Sequence, residues 1–487
     1  MDIKSLVDLS GISGLTPTSF VQKEHVQKEH PEYTSRKRIW KMYRDLYAGG
    51  QRMKDAASEY LRPRLREPND VYLERMWRVF YENYIGSIVD WYGATLFRRE
   101  PVMTFTGLNE PGKAFFSMFV DDCDRKGTAL TDFLRTRFVD ALVGGTSYIL
   151  VDFPKVDVPV ETRGAEDQSG RSRAYLIGYT ADDLINWRHD AEGNFEWVVL
   201  RTTATEASDL KDGEWKQVTT YLYYDKQRYR IYKQSSAGYG GGGAIEEVDH
   251  GFHGLAKQNR VPLFRMQVPE GMWLLNRAGS LQLEHFEKAN ALSWSLTMGL
   301  FAMPVIYTDR EWKQIIGESY FIQLGPNDKF GWTEPEGKIY QIAADNLTRL
   351  REEMYRVCYL GQQGGSMAGG SAQSAASKER DFVTTQEVLR TYGDVVKDLT
   401  RRVLNAVNDA REDELDVSVS GLDEFDIGDF STELDDASRL LGMGIESPTL
   451  RSQVFKKLAL KYLCDVKQEV KDRIVAEIDT SFSKPKV

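Results

Sequence analysis

The sequence predicts an α+β chain built from several substructures, and three observations carry that expectation. Its 487 residues exceed what one hydrophobic core supports. Apolar residues recur by threes and fours before residue 143 and again after residue 276, which is the helical period. Between these regions, short runs of β-branched and aromatic residues are bounded by Gly, Asn and Asp, which is the strand signature.

Residues 1–34 are polar and contain Val-Gln-Lys-Glu-His twice, at 21–25 and 26–30. Five residues are too few for a solenoid repeat. The stretch reads as an exposed arm or short helix, with His25 and His30 in solvent. Ser35–Tyr60 has helical spacing at Ile39, Met42, Leu46 and Met53. Asp70–Phe97 reads as one helix capped by Asp70, with Tyr72, Met76, Val79, Phe80, Tyr84, Ile88 and Trp91 on its apolar face. Two further helices are expected near Gly112–Cys123 and Ala129–Leu142. A strand follows at Thr146–Asp152, then a polar loop at 153–173. More strands are expected at Ala174–Tyr179, Phe195–Arg201, Gln217–Tyr224, Arg228–Tyr232 and Val261–Val268, with a hairpin turn at Asp225-Lys226. Gly238–Gly243 reads as a loop tip. It lacks the Lys-Ser/Thr of a phosphate-binding loop.

A second long helix is expected over Arg277–Ala302, with Leu281, His285, Ala289, Leu292, Leu296 and Leu300 on one stripe and Pro304 as its stop. His285 reads as a core or interface histidine. Residues 303–344 form a small α/β insert: strand Pro304–Tyr307, a short helix around Glu311–Ile316, strand Tyr320–Leu324 and a turn-rich piece ending in Gly337. It is too small to hold a core alone. A helix at Asp345–Leu360 leads into Gly361–Ala372, which holds five glycines and neither proline nor charge. Glycine loses the most backbone freedom on ordering, so such a run needs outside support to be fixed. A long helix starts near Ala375, with Phe382, Leu389, Tyr392, Val396, Leu399, Val403, Val407 and Ala410 on one face and a kink expected at Gly393. Asp409–Asp436 sets twelve acids against one base, Arg411, and reads as a solvated acidic face. It lacks the ligand order of a calcium loop. Ser447-Pro448 opens one C-terminal helix, and Asp465 with Gln468 resembles a capping box for the last.

The formal charge is -10, which argues against static clamping of a nucleic-acid backbone but leaves room for DNA sliding past without sticking. Cys123, Cys358 and Cys464 lie far apart, which fits a reducing compartment and gives no disulfide framework or zinc site. The first fourteen residues have no apolar core and do not read as a signal peptide, so a cytoplasm-like site of synthesis is expected. No nucleophile elbow, HExxH, dinucleotide fingerprint or kinase set is present. His250 and His253 stand three apart in a glycine-flanked stretch without a third ligand. The residues thus name no catalytic group, metal site or cofactor.

The order of these features resembles the portal proteins of tailed double-stranded-DNA bacteriophages. Asp70–Tyr92 followed by Arg98-Arg99-Glu100-Pro101 is similar to the N-terminal helix of one portal subfamily. Helix, small insert and helix come next, then the glycine-rich loop before a long helix. Gly444-Ile445-Glu446-Ser447-Pro448-Thr449, Leu460, Asp465, Glu469 and Arg473-Ile474 resemble the last helices of phage portals. The resemblance implies a portal fold: wing 1–276 and acidic wing segment 412–436, stem helices 277–302 and 345–360, clip 303–344, tunnel loop 361–376, long kinked helix 377–411 and crown 437–487. It further implies a ring of about twelve copies at one capsid vertex of the virion, a structural channel for packaging and ejecting DNA rather than an enzyme. Gln362, Gln363, Met367, Gln373, Lys378 and Arg380 would meet DNA without sequence specificity. Glu311, Trp312, Lys313 and Trp332 on the clip would contact the large terminase subunit and a neck or head-completion adaptor. Major capsid and scaffolding proteins would be further partners. The alternatives are another oligomeric neck or scaffold protein, or a metal-dependent DNA-processing enzyme using the acidic residues.

Overall fold

The computed structural model describes residues 25–154, 173–207, 215–237, 241–299, 303–308, 326–333, 337–360, 375–423, 430–443, 447–463 and 468–483. In chain order its elements are α1 (Pro31–Ala48), α2 (Gly50–Asp55), α3 (Ala57–Tyr60), α4 (Asn69–Trp77), α5 (Tyr84–Leu96), β1 (Val102–Thr106), α6 (Glu110–Asp121), α7 (Leu130–Gly144), β2 (Thr146–Asp152), β3 (Tyr175–Thr180), β4 (Leu184–His189), β5 (Phe195–Ala207), β6 (Trp215–Asp225), β7 (Arg228–Ala237), β8 (Gly241–Phe252) and β9 (Leu263–Gln267). Then come α8 (Leu274–Gly299), β10 (Met303–Tyr307), β11 (Lys329–Thr333), α9 (Gly337–Val357), α10 (Ala375–Arg411), β12 (Asp416–Ser420), α11 (Phe430–Gly442), α12 (Pro448–Tyr462) and α13 (Gln468–Ser483). The fold is α+β, as the sequence predicts, and it divides into two compact units.

The first unit takes residues up to Arg38, Ile149–Phe264 and Asn405–Glu414. Its main sheet is an antiparallel meander, β4-β5-β6-β7-β8. The turn after β6 is made as expected: the Asp225 side chain accepts from the backbone N–H groups of Gln227 and Arg228. β4 and β8 were not legible. β8 starts in the glycine cluster and carries Glu246, Glu247, Asp249 and His250, so it lacks the apolar alternation of a half-buried strand. Its twelve residues are held by pairing along β7 instead.

The second copy of the pentapeptide repeat sits on this sheet. Val26 is fully buried, Gln27 donates to Gln234, and the Lys28 carbonyl accepts from Asn186. Glu29 lies 2.6 Å from Lys37 and 3.3 Å from Arg201. His30 stacks on Trp187 at 4.0 Å between ring centroids, so it is half-buried rather than free in solvent, whereas His25 is exposed. Residues 21–24 of the first copy lie outside the described residues.

Among the described acids of the acidic segment, Asp409, Glu412, Glu414, Asp416 and Asp423 are exposed, as a solvated face predicts, and Asp413 is the exception. Asp413 and Arg411 are both buried and joined at 2.7 Å. Glu412 and Glu414 adopt left-handed backbone conformations, with φ of +57° and +52°. In the second unit Val417 and Val419 of β12 are buried, alternating with Asp416, Ser418 and Ser420. The strand pairs antiparallel with β1. One acid and two serines therefore occupy the outward positions of a strand whose inward positions are valine. Residues 424–429 lie outside the described residues.

The second unit holds Ile39–Tyr148, Arg265–Leu404 and Leu415 onward. Its core is built by α5, α7, α8 and α10. Ile85, Ile88 and Tyr92 of α5, Phe138 and Leu142 of α7, Leu274 and Ala278 of α8, and Leu389, Tyr392, Val396, Leu399 and Val403 of α10 are all nearly or fully buried. Tyr392 makes edge-on ring contacts with Tyr92 and Phe138 at 5.6 and 5.3 Å.

The single helix expected over Asp70–Phe97 is two helices with a break at 78–83. Asn290 accepts from the Phe80 N–H and donates to the Phe80 carbonyl. Gln282 accepts from the Tyr84 and Ile85 N–H groups and donates to Glu82. Both side chains are buried on α8, and they satisfy backbone groups that a continuous helix would have used internally. Asn83 caps α5 by accepting from Gly86. Asp70 is not the cap of α4: Pro68 holds that position and Asp70 lies in the first turn.

Beside this break, Arg75 grips Glu67 with two bonds of 3.0 and 2.8 Å and also donates to the Arg62 carbonyl. The Arg75 hydrogen bonds hold the Glu67 carboxyl below its usual pKa, with help from the Arg64 N–H. A depressed folded-state pKa gives stability that is present above the unfolded value and lost as pH falls through the folded one. Glu67→Gln is therefore expected to cost about 1 kcal/mol at neutral pH and to flatten the acid limb of stability. Urea midpoints taken between neutral pH and pH 3 check this; an unchanged acid limb would contradict it.

Candidate functional site

α9 precedes the glycine-rich stretch, and it packs with α8 inside the second unit. α8 and α9 run antiparallel: Arg277 meets Val357, Lys288 meets Asn346 and Ser295 meets Tyr340. α9 begins at Gly337, eight residues before the expected start at Asp345, and β11 lies within the stretch read as turn-rich. α8 ends at Gly299, and Pro304 lies in β10. Between them β10 and β11 pair antiparallel, with Pro304 opposite Trp332. β11 was not expected from the sequence. The expected helix around Glu311–Ile316 and strand Tyr320–Leu324 lie outside the described residues, and Glu311, Trp312 and Lys313 with them.

The α8–α9 hairpin changes character along its length. Phe286, Ala289 and Asn290 are buried, as is His285, whose pKa burial lowers. Farther out, Leu296 is 43% exposed, Ile339 65% and Ile342 60%, and Tyr307 on β10 is 67% exposed. Among the described residues the ribbon has two strands, and two strands by themselves are marginal in water. Here it stands at the end of a helical hairpin whose own apolar side chains are uncovered. Exposed apolar side chains on both helices and on the strand between them are surface that a partner can cover.

The loop leaves α9 through an anchor absent from the sequence reading. Tyr359 adopts φ of +63°, and the Leu360 N–H bonds back to the Tyr355 carbonyl, closing the helix in a Schellman-type turn. Glycine usually takes that position, because a side chain there costs about 1 kcal/mol. Tyr359 is held by Arg277, which lies 4.6 Å over its ring, donates to its hydroxyl at 2.8 Å and donates to the Val357 carbonyl at 2.7 Å. On the far side, Thr385 of α10 donates to the Tyr359 carbonyl at 2.7 Å. Tyr92 donates to the Cys358 carbonyl, and Tyr392 to the Met272 carbonyl. Burial pushes the Cys358 thiol up to about 12, so it is no nucleophile at neutral pH.

The Thr385 bond defines what lies beyond the anchor. Ala375–Thr384 of α10 extends past it, about 15 Å of helix at the standard rise. Lys378 and Arg380 stand on these first turns of α10 rather than in the loop itself. Gln362, Gln363, Met367 and Gln373 lie outside the described residues, as does Cys464. The signal for the anchor was faint: Gly361 marks a helix end two residues later than the one observed.

Gly393 has a packing role that its place in the helical pattern does not reveal. α10 is a single helix from Ala375 to Arg411, and at Gly393 the Leu422 carbonyl oxygen comes so close that a Cβ would overlap it. The glycine admits a neighbouring backbone.

His250 lies in β8, 3.1 Å from Glu247, and His253 is buried with its Nε2 2.9 Å from the Asp225 carbonyl. Among the described residues no group of three or more His, Cys, Asp and Glu is arranged to hold a metal ion. No described helix is long and apolar enough to cross a membrane.

No family model matches this sequence, and no curated protein matches it. Among solved structures, it is similar to a chain in the neck of an empty GTA particle computed with C6 symmetry, at 12% identity and TM-score 0.42, over 81% of this chain and 95% of that one. It is similar to a chain in the virion of a native gene transfer agent (GTA) particle, at 13% identity and TM-score 0.39, over 82% and 96%. A chain in the neck of the native GTA particle computed with C12 symmetry gives 14% identity and TM-score 0.34, over 88% and 98%. At these identities and TM-scores the likenesses carry no functional conclusion.

Proposed function

We propose that this chain is a portal subunit: a structural protein that closes into a ring of about twelve copies at one vertex of a phage-like capsid. Double-stranded DNA passes through the ring during packaging and ejection. The observation that carries this reading is the α8–α9 hairpin, which leaves Leu296, Tyr307, Ile339 and Ile342 exposed beside a two-stranded ribbon too small to stand alone. Copies of the chain set side by side would cover both, and a closed ring gives every copy the same cover.

In this reading α8 and α9 are the stem and the β10–β11 ribbon belongs to the clip. Glu311, Trp312, Lys313 and Trp332 contact the large terminase subunit and the neck or head-completion adaptor. The glycine-rich loop, borne on the Tyr359–Thr385 anchor and the first turns of α10, faces the channel. Gln362, Gln363, Met367, Gln373, Lys378 and Arg380 supply brief, sequence-independent contacts to passing DNA. The work comes from a separate ATP-driven motor, and a net charge of -10 keeps phosphates from sticking. The wing and crown meet the major capsid and scaffolding proteins.

Two measurements test this. Native mass measurement with negative-stain imaging of the folded protein is expected to give rings of about twelve with a central opening. Isolated single chains, above all with metal-dependent nicking of DNA, would overturn the proposal. Deleting Gly364–Gly370 is expected to leave rings intact while lowering DNA packaging and genome retention; if both are unchanged, the loop has no such role.

A further inference from the structure

A cavity of about 690 Å³ in the second unit, separate from the stem and the loop, lies between the β1–β12 ribbon and the α12–α13 hairpin. One wall is the outward face of the ribbon. Met103, Phe105, Val417 and Val419 are buried on the other face, so Thr104, Thr106, Ser418 and Ser420 present a row of hydroxyls to the cavity. Thr104 and Ser418 lie 2.7 Å apart across the ribbon. The other walls carry cations from three elements: Arg98 and Arg99 after α5, Lys456 and Lys457 on α12, and Lys471 on α13. Against these five bases stand three carboxylates, Glu100, Asp423 and Asp479. Lys471 is almost fully buried and lies 3.4 Å from Glu100, and Lys456 bonds Asp479. Leu96, Leu460 and Val475 complete the lining. Among the described residues the lining is thus net positive by two charges, inside a chain whose net charge is -10.

We propose that this cavity binds an anion carrying two or more phosphate groups in series. Its volume falls within the ~300–1,000 Å³ range of small-ligand pockets. Hydroxyls opposite Lys and Arg side chains form a donor set suited to phosphate oxygens. A single phosphate would engage one wall, whereas bases on three separate elements suit charges spread along a chain. The local field inverts that of the molecule, so attraction is confined to the cavity. A free polyphosphate and the end of a nucleic-acid strand share this chemistry.

The test is calorimetric titration of the full-length protein, in its native assembly, with inorganic tripolyphosphate and separately with 5′-phosphorylated trithymidylate. Saturable binding of either probe, about one per chain and weakened by added salt, is expected, and the probe that binds identifies the source. The Arg98→Ala/Lys457→Ala variant alters two exposed side chains, so it keeps the fold, and is expected to bind about tenfold more weakly. Lys457→Arg is expected to retain binding. The proposal is overturned if neither probe saturates the wild-type protein, or if the double variant binds as the wild type does.

Discussion

Gly393→Ala is expected to destabilise the second unit by about 2 kcal/mol, although alanine is the better helix former. Two effects oppose each other. Replacing glycine in a helix interior gains about 1 kcal/mol of propensity. At Gly393 the added Cβ would overlap the Leu422 carbonyl oxygen and crowd its carbonyl carbon. Overpacking of this kind typically costs ~1–3 kcal/mol, and more where backbone must move. Leu422 has little freedom to yield, since it is buried and already at φ of +58°. The clash should win. Denaturant midpoints for Gly393→Ala and for a solvent-facing glycine-free control on α10, such as Asp394→Ala, separate the two effects. If Gly393 served as a kink, alanine would raise stability, and that result would refute the close-approach account.

Asp413→Ala should cost about 3–5 kcal/mol, the usual effect of removing one partner from a buried ion pair. Arg411 and Asp413 side chains are 3% and 1% exposed and meet at 2.7 Å, so the substitution leaves a buried guanidinium without its carboxylate. The double variant Arg411→Met/Asp413→Leu should recover at least half of that loss, because replacing both charges by apolar groups removes the desolvation cost as well. Unfolding midpoints of the two single variants and the double variant form the cycle. A loss below about 1 kcal/mol for Asp413→Ala would match a surface pair and contradict the buried geometry.

The parts that were legible share one property: their signal is local. The α10 stripe could be read from spacing alone, and Leu389, Tyr392, Val396, Leu399 and Val403 are the residues that become buried. Ser447-Pro448 announced α12, and the Ser447 side chain does accept from the Leu450 N–H. The hairpin at Asp225 was legible because one carboxylate satisfies two adjacent amides of its own turn.

What failed depended on partners far along the chain. β12 reads as acidic loop because its strand character comes from β1, more than 300 residues earlier. The break between α4 and α5 is invisible in a continuous helical pattern, since the groups that stabilise it, Gln282 and Asn290, lie about 200 residues away. The same holds at the candidate site. The helices on either side of residues 361–374 were evident, but the anchor was not, because Tyr359 is held by Arg277 and Thr385 from two other helices.

By itself, then, the sequence determined which stretches are helical, which faces are apolar, the turn at Asp225, the acidic balance and the place of the glycine-rich stretch, since each follows from neighbours within a few turns. Only the tertiary structure decided where a helix must stop, which acidic stretch becomes a strand, and why Gly393 and Tyr359 stand where they do. Those outcomes turn on a backbone group finding its hydrogen-bond partner, or its space, in a distant segment, and local spacing contains no record of that partner.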